Sequence, residues 1–263
     1  MPAASRRPAF AEVTGACLRQ WTSLVDAVDQ LPDDVFSEPT RLAGWRVAEL
    51  VAHFAACVNA VPLRLAEPAP EGNEVLSVAR YLTAVPSAGE VIAQREVDAA
   101  AGQKPTELRG NFALAVVNLT NALADAVGER VVNTRFGPMR LDDFVVTRCL
   151  EGVVHGLDLA QVPGAVTVSD LDALRITTRA LLDTMVERAP GRAVELRVPP
   201  IAAVQCVEGP RHTRGTPPNV VETDPNTWIE LAAGRIRWDD AVADGRVRAS
   251  GERSDLSALL PLL

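Results

Sequence analysis

The chain has 263 residues, of which 48% are hydrophobic and 23% are charged, a composition typical of globular proteins with a substantial core. This apolar content excludes a chain that is disordered throughout. The net charge of -8 disfavours general nucleic-acid binding and attraction to anionic membrane surfaces, because both require a basic face.

No stretch of the sequence indicates export or membrane insertion. The N-terminus has no apolar signal core, and no run of about 18 apolar residues is present, so we expect no membrane span. The four cysteines are widely spaced and form no CxxC pair. This pattern favours free thiols in a reducing cytoplasm. The cysteines are Cys17, Cys57, Cys149 and Cys206.

Apolar residues at helical spacing predict a mostly helical chain up to about residue 190. Pro62 is expected to kink or end the second helix, and Pro86 to break the third helical region. The fourth helix has Leu114, Val117 and Leu123 on one apolar side. The predicted helical regions span residues 10–31, 45–65, 74–101, 106–127, 141–160 and 169–188.

A short extended segment separates the fourth helix from the fifth. Residues 131–140 alternate weakly in polarity and contain a Gly-Pro pair, which predicts a small hairpin or an extended loop. Ser169 is expected to be the N-cap of the sixth helix, with Asp172 three residues later as in a weaker variant of the capping box.

After Pro190 and Gly191 the pattern changes to short strands separated by proline and glycine turns. We therefore predict an α+β fold that is mainly α, with a helical domain at 8–189 and a small α+β domain at 190–263. The strands are expected within 194–200, 201–209, 211–215, 219–224 and 246–251, and helices within 225–233, 238–243 and 254–263.

The fifth helix carries the most informative polar residues. Glu151, His155 and Asp158 are spaced i, i+4 and i+7, so they share one face of a helix that is otherwise mostly apolar. A carboxylate and an imidazole in an apolar setting need a partner, and a divalent metal ion would satisfy both. A solvated polar face is the alternative interpretation of the same spacing.

His53 lies beside the apolar stripe of the second helix and is the candidate third ligand. Two histidines and one carboxylate from two helices of a bundle leave coordination positions open for water or substrate. Cys57, four residues later, could be a fourth ligand or a redox thiol, although an apolar context also suits a small buried side chain. The remaining histidine, His212, lies in a polar, arginine-rich context typical of the surface.

Residues 40–55 and 141–160 resemble the two signature segments of the mycothiol-dependent maleylpyruvate isomerases, a family of DinB-like metal-binding four-helix bundles. In that family a histidine of the first segment and a glutamate and a histidine of the second hold a divalent metal, usually zinc. They match His53, Glu151 and His155 here, and Asp158 matches an aspartate that commonly follows. Residues 220–263 resemble the sterol carrier protein-like domain that accompanies the bundle in many members.

The resemblance implies a metal-dependent enzyme that activates mycothiol as a zinc-bound thiolate. Members add this thiol to a small electrophile, either for cis–trans isomerisation of a maleylpyruvate-like acid or for S-conjugation. Asp158 would then orient a ligand ring from behind. One lysine among 26 basic residues is typical of a GC-rich genome, in agreement with mycothiol production by actinobacteria.

Binding a dicarboxylate substrate would also require arginines at the pocket, and the sequence alone does not show which of six candidate arginines would bind it. Two other functions remain open: a non-catalytic or lipid-binding module that uses the sterol carrier-like domain, and a zinc hydrolase that works without the thiol. We expect small-molecule partners, no nucleic acid and no membrane, and a monomer or homodimer. The candidate arginines are Arg19, Arg41, Arg80, Arg148, Arg246 and Arg248.

Overall fold

The computed structural model describes residues 8–72, 74–209 and 219–263. His212 and the strand expected within 211–215 therefore lie outside the described residues. The first part of the chain contains the helices α1 (Phe10–Asp29), α2 (Val47–Ala66), α3 (Val78–Ala84), α4 (Gly89–Ala100), α5 (Pro105–Ala124) and α6 (Leu141–Leu159), with a hairpin of β1 (Val131–Thr134) and β2 (Gly137–Arg140) before α6.

The second part of the chain combines helices with a small sheet, so the predicted α+β class is confirmed. Its sheet has the order β4-β3-β5-β6, with β3 parallel to β5 and the other neighbours antiparallel. The elements are α7 (Leu171–Arg188), β3 (Val194–Val198), β4 (Ala202–Cys206), β5 (Val220–Thr223), α8 (Pro225–Ala232), α9 (Trp238–Ala243) and β6 (Val247–Ser250).

The chain divides into two compact units, and neither is a single stretch of sequence. One unit comprises residues up to Ser77 together with Ser87–Ala173, and the other comprises Val78–Pro86 and Leu174–Leu263. This division differs from the predicted boundary near residue 190. Within the second unit, Arg188 at the end of α7 donates hydrogen bonds to carbonyl oxygens of the C-terminal segment, which ties α7 to the elements that follow it.

Trp21 of α1 forms the centre of the four-helix core. Its ring is fully buried and meets Phe54 of α2 and Phe112 of α5 edge-on, with ring centroids 5.8 and 6.0 Å away. The indole nitrogen donates a hydrogen bond to the carbonyl oxygen of Arg148 in α6 at 3.1 Å. One side chain thus contacts the other three helices of the bundle and satisfies its own polar atom.

Two glycines let α1 approach α6 closely. A Cβ added at Gly152 would lie 3.1 Å from atoms of Gln20 and Trp21, and one at Gly156 would lie 3.2 Å from the Gln20 amide nitrogen. The same amide donates to the carbonyl oxygen of Gly152 at 3.0 Å. The face of α6 that carries these glycines therefore packs against α1, whereas the face that carries Glu151 points towards other helices.

The structure corrects two predictions in the helical unit. Of the two effects predicted for Pro62, a kink or an end, the end is wrong, because α2 continues to Ala66. In α5, Leu114 and Val117 are exposed, and only Leu123 of the predicted apolar side is buried. The buried face consists instead of Leu108, Phe112, Ala115, Val116, Leu119 and Leu123. These residues are spaced three or four apart and so share one helix face, and the two exposed residues lie off that face.

Two predictions after residue 160 are also wrong. Asp170 rather than Ser169 caps α7, since its carboxylate accepts hydrogen bonds from the backbone of Asp172 and Ala173. No long helix forms within 254–263; a short 3-10 turn at Ser257–Leu259 is followed by an extended end. Pro261 lacks the N–H that a helix needs, and Leu262 is buried with its backbone bonded to Ala232.

α2 is long and apolar enough to cross a membrane by length and composition, and no other helix among the described residues passes that test. Half of its apolar window is buried inside the protein. It packs against α4, α5 and α6, which accounts for its composition as that of a core helix.

Replacing Gly152 with alanine is expected to lower the free energy of unfolding by about 1–3 kcal/mol, because the new methyl group overpacks the contact with Gln20 and Trp21. Gly110 is the matched control, an exposed helical glycine with no atom near its added Cβ. There alanine is expected to raise stability by about 0.5–1 kcal/mol. Urea unfolding of both variants checks this, and equal stability changes would contradict it.

Candidate metal centre

The polar face of α6 is turned into the bundle rather than towards water. Asp158 is fully buried, His155 is buried, and the side chain of Glu151 is only 17% exposed. The interpretation of these three residues as a solvated face is therefore excluded. Nearly the whole circumference of α6 is buried, so its polar groups must find partners within the protein.

His53 of α2 lies against this face. Its Nε2 atom is 3.6 Å from Oε2 of Glu151, and Nε2 of His155 is 3.2 Å from the same oxygen. The two imidazole rings meet nearly perpendicularly, with centroids 4.7 Å apart. Three candidate ligand atoms, one from each residue, lie within 4.8 Å of one another. The structure thus brings together the three residues predicted from sequence.

These separations suit a single divalent ion. Nitrogen and oxygen ligands bound about 2.0–2.2 Å from one zinc ion lie roughly 3.2–3.6 Å apart in a tetrahedral arrangement. The two measured distances to Glu151 fall in that range. Among the described parts of the chain, His53, Glu151 and His155 are the one group of three or more histidine, cysteine or acidic side chains with this proximity.

Both imidazoles have a carboxylate at the ring nitrogen that faces away from Glu151. His155 Nδ1 lies 2.7 Å from Asp158 Oδ2, and His53 Nδ1 lies 3.2 Å from Glu96 Oε1. A carboxylate at Nδ1 favours the tautomer with hydrogen on that nitrogen, which leaves the Nε2 lone pair available for a metal. The donor set therefore fits a divalent ion in its chemistry as well as in its spacing.

The surroundings shift the pKa values of two of these groups. Burial opposes ionisation of Glu151, but hydrogen bonds from His155 and His53, with the charge of Arg148, outweigh it and hold the pKa well below its usual range. Burial also lowers the pKa of His53. Contacts with Cys57, Glu151 and Glu96 outweigh that effect and raise the pKa well above its usual value. The metal-free site is thus an ionised carboxylate beside a readily protonated imidazole.

The thiol of Cys57 lies next to the candidate ligands without being one of the three. Its Sγ atom is 3.2 Å from Nε2 of His53, and the side chain is buried. The other cysteines, Cys17, Cys149 and Cys206, are buried and free as well. The prediction of free thiols is therefore confirmed for all four cysteines.

Two of the candidate arginines contact the site. Arg41 donates to Asp158 Oδ1 at 2.6 Å, and Nη2 of the buried Arg148 lies 3.6 Å from Glu151 Oε1. Arg19 instead forms ion pairs with Asp170 and with Asp172. The remaining candidates, Arg80, Arg246 and Arg248, belong to the second compact unit.

Sequence reasoning missed two neighbours of His53. Glu96 of α4 is buried and contacts its Nδ1, and the ring of Trp45 lies 5.1 Å from the imidazole between centroids. Trp45 lies two residues before the start of α2, close in sequence to His53. Glu96 is 43 residues from His53 in sequence, and no local pattern links the two.

An open groove of about 470 Å³ lies elsewhere on the helical unit. It is lined by residues of α2 and α5, among them Asn59, Leu63 and Asn118. None of the candidate ligands contributes to it, so the metal-binding residues and this groove are separate features.

Two family models match the chain. Residues 17–160 match the mycothiol maleylpyruvate isomerase N-terminal domain, and residues 170–262 match a domain described as a bacterial SCP ortholog. The first match spans more than half of the chain. No curated protein matches.

Solved structures agree with this architecture. A crystal structure of the mycothiol-dependent maleylpyruvate isomerase is similar with a TM-score of 0.61 at 18% identity, covering 94% of this chain and 95% of that chain. A histidine-to-alanine mutant of a mycothiol-dependent maleylpyruvate isomerase matches with the same score and coverage at 17% identity. At such identities the structural matches establish the fold. By the match over residues 17–160, the chain belongs to the mycothiol maleylpyruvate isomerase family and carries, after its helical domain, an SCP-type domain.

Proposed function

We propose that this protein is a metal-dependent enzyme that activates mycothiol for addition to a small electrophile, with cis–trans isomerisation of a maleylpyruvate-like acid as its reaction. The observation that carries the proposal is the convergence of His53, Glu151 and His155 within 4.8 Å in a member of this family. We also propose that the protein works in the cytoplasm, since its four cysteines are free.

The three side chains would hold one divalent metal ion, with zinc as the expected metal. A bound zinc ion stabilises a coordinating thiolate near neutral pH, which turns a weak nucleophile into a strong one. The chain's own residues prepare for this. Glu151 is held ionised beside the two imidazoles, and its charge offsets part of the positive charge that the site would receive.

The residues behind the ligands fix their geometry. Asp158 accepts the hydrogen of His155 Nδ1 and is itself held by Arg41, so rotation of the ring would break its contact with a carboxylate that is fixed in place. On the opposite side, Trp21 and Gln20 bond to backbone carbonyls of α6 at Arg148 and Gly152, on either side of Glu151. The site is therefore preorganised by groups that do not face it.

Isomerisation by a thiol requires no oxidant, and the thiol is regenerated at the end of the reaction. The sulfur adds to one carbon of the cis double bond, and the bonding pair moves towards the adjacent carbonyl. The remaining carbon–carbon single bond rotates, the double bond re-forms as trans, and the sulfur leaves. S-conjugation shares the first step and differs because the sulfur stays bound to the product.

Purified protein is expected to hold about one zinc ion per chain, as for a site with three protein ligands. His155→Ala and Glu151→Ala should both lose this metal, because each removes a ligand. His212→Ala serves as the matched control, since it removes the one histidine outside the trio. Elemental mass spectrometry checks the result. Metal retained in both ligand variants, or absent from wild type after reconstitution, would overturn the site.

Zinc affinity is expected to rise with pH across the neutral range. The pKa of His53 is raised well above its usual value in the metal-free site, so a proton occupies the imidazole below that pKa and must leave when metal binds. Glu151 stays ionised throughout, because its pKa is lowered. The gain should approach about tenfold per pH unit below the pKa of His53.

Chelator competition at several pH values measures this dependence, after correction for protonation of the chelator. Calorimetry in buffers of different ionisation enthalpy should also detect the proton released on binding. An affinity that stays constant while the pH changes would contradict a protonated His53.

Turnover of a maleylpyruvate-like acid is expected only when mycothiol is present, with many substrate molecules converted per thiol. Loss of one mycothiol per product would indicate S-conjugation instead. Product formed without thiol would indicate a zinc hydrolase, and no conversion in either case, with binding of acyl or sterol probes, would favour a lipid-binding module. Quantifying thiol and product in one assay separates these outcomes.

A further inference from the structure

Glu96 is a buried carboxylate on a helix whose other acidic residues are exposed. The buried residues of α4 are Glu96 and Ala100, whereas Glu90 and Asp98 are exposed. Removing an ionised carboxylate from water costs free energy unless partners compensate for the lost hydration. An apolar side chain would fill the same position without that cost, so the partners of Glu96 explain its presence.

The partners of Glu96 connect the protein surface to the candidate metal centre through a series of side-chain contacts. His53 Nδ1 lies 3.2 Å from Oε1 of Glu96, and the guanidinium of Arg95 donates to the same oxygen. The side chain of Arg95 is 46% exposed, while that of Glu96 is 1% exposed. A charge at the surface is thus connected through a buried carboxylate to the back of the His53 ring.

The same arrangement stands behind His155. There Arg41 donates to Asp158, and Asp158 accepts from His155 Nδ1. Both carboxylates occupy the Nδ1 side, and both rings present Nε2 to Oε2 of Glu151. The two differ in origin, because Asp158 comes from the helix of its own histidine and Glu96 comes from α4.

We propose that Glu96 is a positioning residue whose negative charge holds His53 in the ring orientation and tautomer required for metal binding, as Asp158 does for His155. This inference rests on the metal site proposed above and adds a residue to it. It also gives α4 a part in metal binding, although that helix contributes no ligand.

The geometry allows an isosteric test. His53 and Arg95 both use Oε1, while Oε2 of Glu96 has no hydrogen-bond partner among the residues that the structure describes. Glu96→Gln can therefore keep an oxygen at the shared position while it removes the negative charge. Asp98→Asn is the matched control, since it removes one charge from an exposed residue of the same helix.

Zinc affinity is measured by competition with a chromophoric chelator for wild type and both variants, with the thermal unfolding midpoint as a check on folding. Glu96→Gln is expected to bind zinc about 10–100-fold more weakly. Its cobalt-substituted form should show an altered visible absorption spectrum. Asp98→Asn should match wild type in both. Wild-type affinity and an unchanged cobalt spectrum in Glu96→Gln would overturn the proposal.

A second measurement uses the wild-type protein and does not depend on the folding of a variant. In the zinc-loaded protein, nitrogen-edited NMR is expected to show His53 bound through Nε2, with a slowly exchanging proton on Nδ1. A His53 bound through Nδ1, or without a protected Nδ1 proton, would overturn the role of Glu96. Wild-type protein that binds no zinc would instead overturn the metal site itself, so the two failures are distinguishable.

Discussion

Polar groups that leave water must find partners inside the protein. This requirement determines which side chains surround α6. The helix is buried around nearly its whole circumference, yet one of its faces carries Glu151, His155 and Asp158. Glu151 meets both histidines, and Asp158 meets His155 and Arg41. Each contact that compensates a buried polar group for its lost hydration also fixes the position of that group. The same contacts therefore stabilise the buried residues and position them in the site.

One side of α6 packs closely against α1, and the opposite side carries the candidate metal ligands. Glycines at 152 and 156 let α1 come close, and Gln20 and Trp21 bond to the backbone of α6 from that side. The opposite side faces α2 and receives His53. The α1 side thus holds the backbone of α6, while on the α2 side the carboxylates of Glu96 and Asp158 contact the two imidazole rings.

The sequence pattern predicted features that depend on residues close together in sequence, such as the helices and the residues that share one helix face. The spacing of Glu151, His155 and Asp158 placed them on one face, and the apolar stripes of α1 and α2 gave helices close to the observed ones. Which helix face packs is a tertiary matter, and this is why Leu114 and Val117 were assigned to the apolar side of α5 although they are exposed.

The same limit applies to the site. Glu96 reaches His53 only through the packing of α4 on α2, and an acidic residue among other acidic and apolar residues carries no signal of that contact. The C-terminal segment, residues 254–263, was predicted as a helix. Its two buried leucines, Leu256 and Leu262, lie on either side of a short 3-10 turn, and the end of the chain is extended rather than helical.

The division of the chain into discontinuous units has a consequence for its synthesis. Val78–Pro86 belongs to the unit completed by Leu174–Leu263, although it is made early. At about 5–20 residues per second, the ribosome needs roughly 9–35 s to add the residues after Pro86. During that interval the segment is without the rest of its unit, while the helices on both sides of it can already assemble. Because each unit combines two stretches of sequence, a single cut in the chain cannot release either unit whole.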